Sequence, residues 1–222
     1  MAGERWVSFD VGETLIDETR VWSVWADVLG VTRLTFMAAL GAVISDGDDH
    51  RDVFAMVGRT DWQTHIPDFE LAYGGFQSSD LYPDAVSSIS ALRGAGYHVS
   101  IFANQPAQRT AQLRALGITP DLMAMSGEWG VNKPAPEFYA RALKEMSSEA
   151  TEVAYVGDRL DNDVRPSAAA GIRPVWIRRG PWGFIERLPE GVHPALMVAS
   201  LTELAERIDE AWSGLPEAEP DD

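Results

Sequence analysis

The sequence predicts an α/β fold built on a parallel β-sheet, with a helical insertion after the first strand. From Asp84 onwards, short apolar runs alternate with amphipathic segments of helix length, which is the pattern of repeated β-α-β units. Residues 17–76 instead carry helical periodicity with no strand between the helices. A chain of 222 residues, 45% of them hydrophobic, can bury one substantial core and still form a small inserted subdomain.

The predicted strands are short apolar runs that end at polar or glycine-containing turns. They cover residues 6–11, 99–103, 122–125, 153–156 and 174–177. The helices predicted between them cover residues 84–93, 107–116, 136–146 and 163–170, and Gly94, Gly117 and Gly171 stand where helices end. Ligands of such sheets bind beyond the carboxyl ends of the strands. The residues that follow each strand are therefore the first candidates for a functional site.

The inserted segment is predicted to form a helical cap over residues 17–76, with helices at 22–29 and 34–44. Its large aromatic residues are expected to form the cap's own core, with a substrate-facing role for one or two of them as the alternative: Trp22, Trp25, Phe36, Phe54 and Trp62. The core domain is predicted to comprise residues 1–16 and 77–214. Residues 215–222 are acidic and contain two prolines, which predicts a disordered tail.

The composition argues against several partner classes. The excess of 34 acidic over 18 basic residues gives a formal charge of −16, which would repel a nucleic-acid backbone. The absence of cysteine excludes disulfides, thiolate metal sites and cysteine catalysis. No segment has the pattern of a signal peptide or the roughly 20 apolar residues of a membrane helix. We therefore expect a cytoplasmic protein with neither nucleic acid nor membrane as a partner; the oligomeric state is not predicted.

Three motifs each present one polar side chain near the end of a candidate strand. Asp10 leaves the first strand in SFDVGETL (8–15), and Asn104 leaves the second in IFANQP (101–106). Lys133 stands in the loop NKPAP (132–136), just before a helix. Each alone has an ordinary explanation, because Asp and Asn are frequent turn residues and a loop lysine is usually a solvated charge. Their order and spacing make them candidates for one shared site.

The fourth motif, GDRLDNDV (157–164), places three carboxylates within six positions directly after an apolar strand. These are Asp158, Asp161 and Asp163. Crowded carboxylates are unfavourable unless a cation neutralises them, which indicates a hard divalent metal ion. A role for Asp163 as the N-cap of the next helix would explain one carboxylate but not Asp158.

At these residues the sequence resembles the haloacid dehalogenase-like hydrolase superfamily. That family combines an Asp-x-Asp-x-Thr loop, a strand ending in Ser or Thr, a lysine and a Gly-Asp-x-x-x-x-Asp loop, and the resemblance covers roughly residues 6–177. It implies a three-layer Rossmannoid α/β fold with parallel strands in the order 5-4-1-2-3. It also implies a helical type-one cap where residues 17–76 lie, above a cleft in which the four loops converge.

The resemblance also implies roles for the motif residues. Asp10 would be the nucleophile that attacks phosphorus, and Lys133 would hold Asp10 and the phosphoryl group in place. Asn104 and Lys133 would contact the substrate. A Mg²⁺ ion would be bound by Asp10, the backbone carbonyl of Gly12 and Asp158, with Asp163 in a supporting position. Phosphoryl transfer depends mainly on positioning and charge neutralisation, which such a set can provide.

Two positions depart from the family pattern. Gly12 replaces the Asp that acts as general acid and base, which predicts a loss of about 10²–10⁴ in rate. Ala103 replaces the hydroxyl residue that contacts the phosphoryl group, at a cost of about 1.5–3 kcal/mol. Glu13 would need a reshaped loop to replace the missing acid, while His50 and His65 are further candidates that are more typical of surface or core histidines.

Three functions are compatible with this pattern. The first is a Mg²⁺-dependent hydrolase of a small phosphorylated metabolite that uses an aspartyl-phosphate intermediate and has weakened or unconventional acid-base chemistry. The second is a phosphate-binding or regulatory protein that has lost turnover. The third is a carbon-halogen hydrolase, because halide leaves without a proton; such enzymes need no metal, whereas this chain retains Asp158 and Asp163.

Overall fold

The computed structural model describes residues 4–213. Its central element is a six-stranded, fully parallel β-sheet. Its strands are β1 (Trp6–Phe9), β2 (His98–Ala103), β3 (Leu122–Met125), β4 (Val153–Gly157), β5 (Arg173–Ile177) and β6 (Leu196–Val198). They lie in the order β3-β2-β1-β4-β5-β6. β1 is therefore flanked by β2 and β4, and the carboxyl ends of all three strands meet at one edge of the sheet.

Both faces of this sheet are covered, so its central strands are apolar on both sides. On β1, Val7 and Phe9 face one core, which also contains Ile101 and Val156, while Trp6 faces the other. Side chains of this size contribute roughly 1.5–3 kcal/mol each when fully buried. The alternation fixes the register of β1, because a slip by one residue would exchange the two faces.

Four helices follow β1 in the chain and form the predicted helical insertion. They are α1 (Thr19–Val28), α2 (Arg33–Asp46), α3 (Asp52–Met56) and α4 (Ile66–Tyr73), with a 3₁₀ turn at Trp62–His65. Thr32 caps α2 by accepting from the N–H of Thr35, and Gly47 ends it with a positive φ of 76°, as a left-handed C-terminal residue does. The boundaries of α2 are thus set by ordinary capping chemistry.

The predicted aromatic core of this insertion is present. Trp22, Trp25, Phe36 and Phe54 are buried in one cluster, and Trp62 packs against it partly buried. Trp25 stacks on Phe69 with 4.2 Å between ring centroids. Trp182, from the segment after β5, belongs to the same cluster, so the insertion packs directly on the α/β core.

The remaining helices connect the strands or follow the last one. They are α5 (Ala85–Gly94), α6 (Arg109–Ala115), α7 (Ser126–Trp129), α8 (Pro136–Met146), α9 (Arg165–Ala169), α10 (Gly180–Ile185) and α11 (Leu201–Arg207). Short 3₁₀ turns lie at Ser78–Asp80, Ala150–Glu152 and Ile208–Trp212, and a π-helical turn at Leu160–Val164. Within residues 4–213 no single helix could span a membrane; α1 and α2 pass that test only together, with a bend of 118° between them.

The predicted α/β fold and the strand order 5-4-1-2-3 are confirmed, and the structure adds two features. β6 extends the sheet beside β5; it was missed because it has only three residues, of which Met197 is 45% exposed. The helix predicted at 163–170 is instead the π turn followed by α9, so Asp163 is not its N-cap. The predicted tail, residues 215–222, lies outside the described residues.

Candidate active site

The predicted site residues meet at the carboxyl edge of the sheet. Asp10 follows β1, Asn104 follows β2 and Asp158 follows β4, while Lys133 enters from the loop before α8. They line a cavity of about 110 Å³ together with Gly12, which we call the phosphoryl cavity after the group that the sequence resemblance predicts it to bind. Asp163 lies behind it, 1% exposed. The four motifs therefore form one site, as their order in the sequence predicted.

Lys133 is the buried cation of this site. Its Nζ donates to Oδ1 of Asp10 at 2.7 Å and to Oδ1 of Asp163 at 2.6 Å, and the side chain is 2% exposed. Burial opposes its charged form, but the carboxylates of Asp10 and Asp163 outweigh that effect and raise the pKa of Lys133. The lysine is thus permanently charged, and it holds Asp10 in a fixed orientation.

Asn104 fixes the loop that carries this lysine. Its Oδ1 accepts from the backbone N–H of Lys133 at 2.7 Å, and its Nδ2 donates to the Lys133 carbonyl at 2.9 Å. Both ends of the amide are therefore engaged with the backbone of one residue, Lys133. Asn104 also lines the phosphoryl cavity. Its hydrogen bonds, however, position the loop of Lys133, a role that was not predicted from the sequence.

Asp163 has both carboxylate oxygens occupied. Oδ1 accepts from Lys133 and Oδ2 accepts from the backbone N–H of Arg159 at 3.0 Å. A Cβ at Gly157 would lie 2.3 Å from Cγ of Asp163, so only glycine leaves room for this carboxylate behind β4. Asp163 is accordingly placed to support the site rather than to supply a free oxygen.

Asp158 contrasts with Asp163, because its Oδ2 is buried and finds no hydrogen-bond partner among residues 4–213. Carboxylate oxygens of Asp10, Asp158 and Asp163 lie within 4.8 Å of one another. Burial, together with the charges of Asp163 and Asp10, raises the pKa of Asp158 well above its usual range. A buried carboxylate without a donor is costly, and an oxygen-binding divalent cation would satisfy it. The residues therefore fit a metal ion.

Gly12 lines the phosphoryl cavity, and a carboxyl group from outside the motifs lies against it. Glu18, just before α1, is partly buried and lines the same cavity. A Cβ built on Gly12 would be 2.5 Å from Oε1 of Glu18 and 3.0 Å from its Cδ. Burial and the negative charges of Glu13 and Asp10 raise the pKa of Glu18 to about 8. No sequence signal indicated this residue, because it follows Asp10 at no motif spacing.

Glu13, the substitute acid considered from the sequence, is held by other groups. Its Oε1 accepts from the N–H of Glu18 at 2.9 Å, and its Oε2 accepts from the Tyr82 hydroxyl. It adopts a positive φ of 47° and is 4% exposed. A Cβ at Gly180 would lie 2.3 Å from Oε2, so the segment after β5 closes over the carboxylate. Glu13 is engaged in fixing the start of α1.

Of the two histidines considered, only His50 reaches the site. It lines the phosphoryl cavity, whereas His65 lies near Asp61 and Asp68. Nδ1 of His50 is 3.0 Å from Nη1 of Arg159; because a guanidinium can only donate, Nδ1 is the acceptor and its proton is on Nε2. Burial and the charge of Arg159 lower the pKa of His50 to about 4. The ring is thus neutral near pH 7.

A second cavity of about 270 Å³ adjoins the first under the helical insertion, and we call it the aromatic cavity. It shares Glu18, Trp22, His50, Asn104 and Gln105 with the phosphoryl cavity. Its other walls are mainly aromatic side chains: Trp25, Phe54, Trp62, Phe69, Tyr73 and Phe76. The cap aromatics form the cap core, as predicted, and four of the five also line this cavity; a substrate-facing role for them stays a prediction.

Residues 5–171 match the family model described as haloacid dehalogenase-like hydrolase. The chain belongs to this family. The match spans most of the chain and includes all four motifs, so the resemblance seen in the sequence is confirmed. As a haloacid dehalogenase-like protein, the chain carries the family's lysine and acidic loop but has Gly12 and Ala103 at two motif positions.

Several characterised relatives are phosphatases. A glyceraldehyde 3-phosphate phosphatase of Methanocaldococcus jannaschii is 32% identical over 108 residues, which is 47% of either chain. A phosphoserine phosphatase of Thermus thermophilus is 34% identical over 45% of this chain and 41% of its own. A sesquiterpene phosphatase of Aspergillus oryzae is 34% identical over 48% and 57% respectively. This chain thus spans about half the length of the curated relatives it matches.

Solved structures share the whole fold at low sequence identity. The haloacid dehalogenase-like hydrolase YfnB of Bacillus subtilis superposes with a TM-score of 0.72 at 17% identity, covering 92% of this chain and 98% of that one. A hydrolase of the same family from Bacteroides fragilis gives 0.69 at 19%, covering 90% and 99%. At these identities the likeness concerns the fold, including the helical insertion.

Proposed function

We propose that this protein is a Mg²⁺-dependent phosphatase that hydrolyses a small phosphomonoester through an aspartyl-phosphate on Asp10. The observation that carries the proposal is the Lys133 ion pair, which orients Asp10 in a cavity beside Oδ2 of Asp158, a buried oxygen with no hydrogen-bond partner among the described residues. A buried, oriented carboxylate is a suitable nucleophile for phosphorus. The phosphatase relatives support the same reaction class.

The proposed reaction has two displacements. In the first, a carboxylate oxygen of Asp10 forms a bond to phosphorus while the bond from phosphorus to the ester oxygen breaks, and the alcohol leaves after taking up a proton. In the second, water attacks phosphorus, the bond to Asp10 breaks, and inorganic phosphate leaves. Lys133 contacts Asp10 directly, so it can keep the attacking oxygen aligned and offset phosphoryl charge in both steps.

The metal site is part of this proposal. Asp10, the carbonyl of Gly12 and Asp158 would hold Mg²⁺, and Asp163 would support them through Lys133 and the N–H of Arg159. When bound, Mg²⁺ supplies positive charge that lowers the repulsion between an anionic nucleophile and an anionic ester. The related hydrolase YfnB has been crystallised with magnesium, which supports this choice of ion.

The aromatic cavity supports a substrate whose alcohol part is apolar. It shares five lining residues with the phosphoryl cavity, and seven aromatic side chains line it, which favour rings and hydrocarbon over a polyol. One matched relative is a sesquiterpene phosphatase, in keeping with this class. We include in the proposal the division into a core of residues 1–16 and 77–214 and a cap of 17–76, because the cap supplies this cavity.

The test is steady-state hydrolysis of 2-phenylethyl phosphate and glucose 6-phosphate with Mg²⁺ or with EDTA. The parent should prefer the aromatic ester, and both EDTA and Asp10→Asn should abolish turnover. Asp68→Asn, at an exposed site, is the matched control and should retain the parent rate. Tight binding of phosphate analogues without turnover would instead indicate the phosphate-binding alternative, and turnover that survives Asp10→Asn would refute the proposed nucleophile.

A further inference from the structure

We infer that Glu18 supplies the carboxyl group that protonates the leaving group, in place of the side chain that Gly12 lacks. This inference rests on the proposed phosphatase function and extends it, because it assigns the proton donor that the motifs do not provide. It makes Glu18 a catalytic residue, recruited from the first turn of the cap rather than from the loop after β1.

The first observation is the space at position 12. The Cβ of any side chain at Gly12 would lie 2.5 Å from Oε1, 3.0 Å from Cδ and 3.5 Å from Oε2 of Glu18. These distances are below or near van der Waals contact for all three atoms. The Glu18 carboxyl therefore fills the volume into which a residue 12 side chain would extend, and the two positions are complementary: Gly12 leaves the space and Glu18 occupies it.

The second observation is the position of Glu18 between the two cavities. It lines the phosphoryl cavity with Asp10 and Lys133, and it lines the aromatic cavity with Trp22 and Phe54. In the proposed reaction the ester oxygen joins a phosphoryl group in the first cavity to an alcohol in the second. A carboxyl group shared by both cavities is therefore placed at the bond that breaks, which is the geometric requirement for a general acid.

The third observation is that Glu13 holds the backbone of Glu18 in place. The Glu13 carboxylate accepts from the N–H of Glu18 at 2.9 Å and is itself fixed by Tyr82. Glu13 is thus committed to positioning α1, and Nδ1 of His50 is committed to Arg159. His65 lines neither cavity, and His50 lines both as Glu18 does, but the atoms nearest to a Cβ at Gly12 all belong to Glu18 and none to His50.

The proton steps balance across the two displacements. Protonated Glu18 gives its proton to the ester oxygen as the bond to phosphorus breaks, so the alcohol leaves neutral and Glu18 becomes a carboxylate. Glu18 then takes a proton from the water that attacks the phosphoryl group on Asp10. Phosphate is released and the protonated carboxyl is restored, without any further reactant.

The first test compares two esters in Glu18→Gln. With 2-phenylethyl phosphate, whose alkoxide is a poor leaving group, kcat should fall by about 10² or more. With p-nitrophenyl phosphate, whose phenolate leaves without protonation, the fall should be much smaller. Glu137→Gln, at an exposed position on α8, is the matched control and should leave both rates unchanged. An equal fall for both esters, or no fall, would overturn the assignment.

The second test moves the carboxyl group back to position 12. Gly12→Asp alone should lower activity, because its Cβ would overlap Glu18, whereas Gly12→Asp combined with Glu18→Ala should recover 2-phenylethyl phosphate hydrolysis relative to Glu18→Ala. Failure of this recovery in a folded double variant would count against Glu18. If Asp10→Asn stops turnover but Glu18→Gln does not alter it, the inference fails and the phosphatase proposal stands; a parent inert on both esters refutes both.

Discussion

The amide side chain of Asn104 forms two hydrogen bonds with the backbone of Lys133, one to its N–H and one to its carbonyl. The end of β2 is thereby tied to the loop that carries the buried cation, and that cation in turn orients Asp10. The precision of the nucleophile thus depends on a residue that need not touch the reacting atoms.

Asn104→Ala should therefore lower both kcat and stability. The loss of two hydrogen bonds should cost about 1–3 kcal/mol in the free energy of unfolding, and a displaced Lys133 should reduce kcat by about tenfold to a hundredfold. Denaturant unfolding and p-nitrophenyl phosphate kinetics measure the two effects. Asn132→Ala, exposed in the same loop, serves as the control; a parent-like kcat in Asn104→Ala would show that Lys133 is held without this amide.

Lys133→Met should destabilise the fold, contrary to the usual behaviour of a loop lysine. The variant leaves Asp10 and Asp163 buried without their cation, and breaking a buried ion pair costs about 3–5 kcal/mol. The loss measured by denaturation at pH 8 should shrink at pH 5, because burial raises the pKa of Asp163 to about 6 and its protonation removes part of the unpaired charge. An equally large loss at both pH values would show that packing, not charge, explains it.

Much of this site could be predicted because its motif residues lie at strand ends, and parallel strands end at one edge. Asp10, Lys133 and Asp158 were located in this way. Their exposure could not be predicted: the loop position of Lys133 suggested a solvated charge, whereas its side chain is only 2% exposed in the folded protein. Burial depends on which other loops cover a residue, and spacing does not record that.

Glu18 shows the other limit of sequence-based reasoning. It lies near Gly12 because residues 12–16 form a tight turn, in which Gly12 bridges to Ile16, and α1 starts directly afterwards. No periodicity or motif specifies that the carboxyl group of Glu18, at the start of α1, lies where a side chain at position 12 would extend. Asp163 was predicted as a site residue from its motif, but the π turn after β4 that brings it there was predicted as an α-helix.

Asp158→Asn should have opposite effects on stability with and without magnesium. Because the folded pKa of Asp158 is raised, its contribution to stability is fully present below the unfolded pKa of about 3.9 and is lost as pH rises through the folded value. In EDTA at pH 8 the variant should therefore melt at a higher temperature than the parent. With Mg²⁺ the order should reverse, because only the parent gains stability from the ion. Equal Mg²⁺-induced shifts in thermal melting would refute the role of Asp158 as a ligand.

His50 should make the protein less stable in mild acid. Its folded pKa of about 4 lies below the unfolded value of about 6.5, so the unfolded chain binds a proton that the folded chain excludes. Stability from this group is therefore present above pH 6.5 and is lost as pH falls towards 4.

His50→Asn removes that titration while keeping an acceptor for Arg159. The parent should thus lose more unfolding free energy than His50→Asn between pH 7 and pH 5, by on the order of 1 kcal/mol after allowance for partial exposure. Chemical denaturation at several pH values measures the difference. Parallel pH profiles for parent and variant would mean that His50 is protonated equally in both states and that its contact with Arg159 does not keep it neutral.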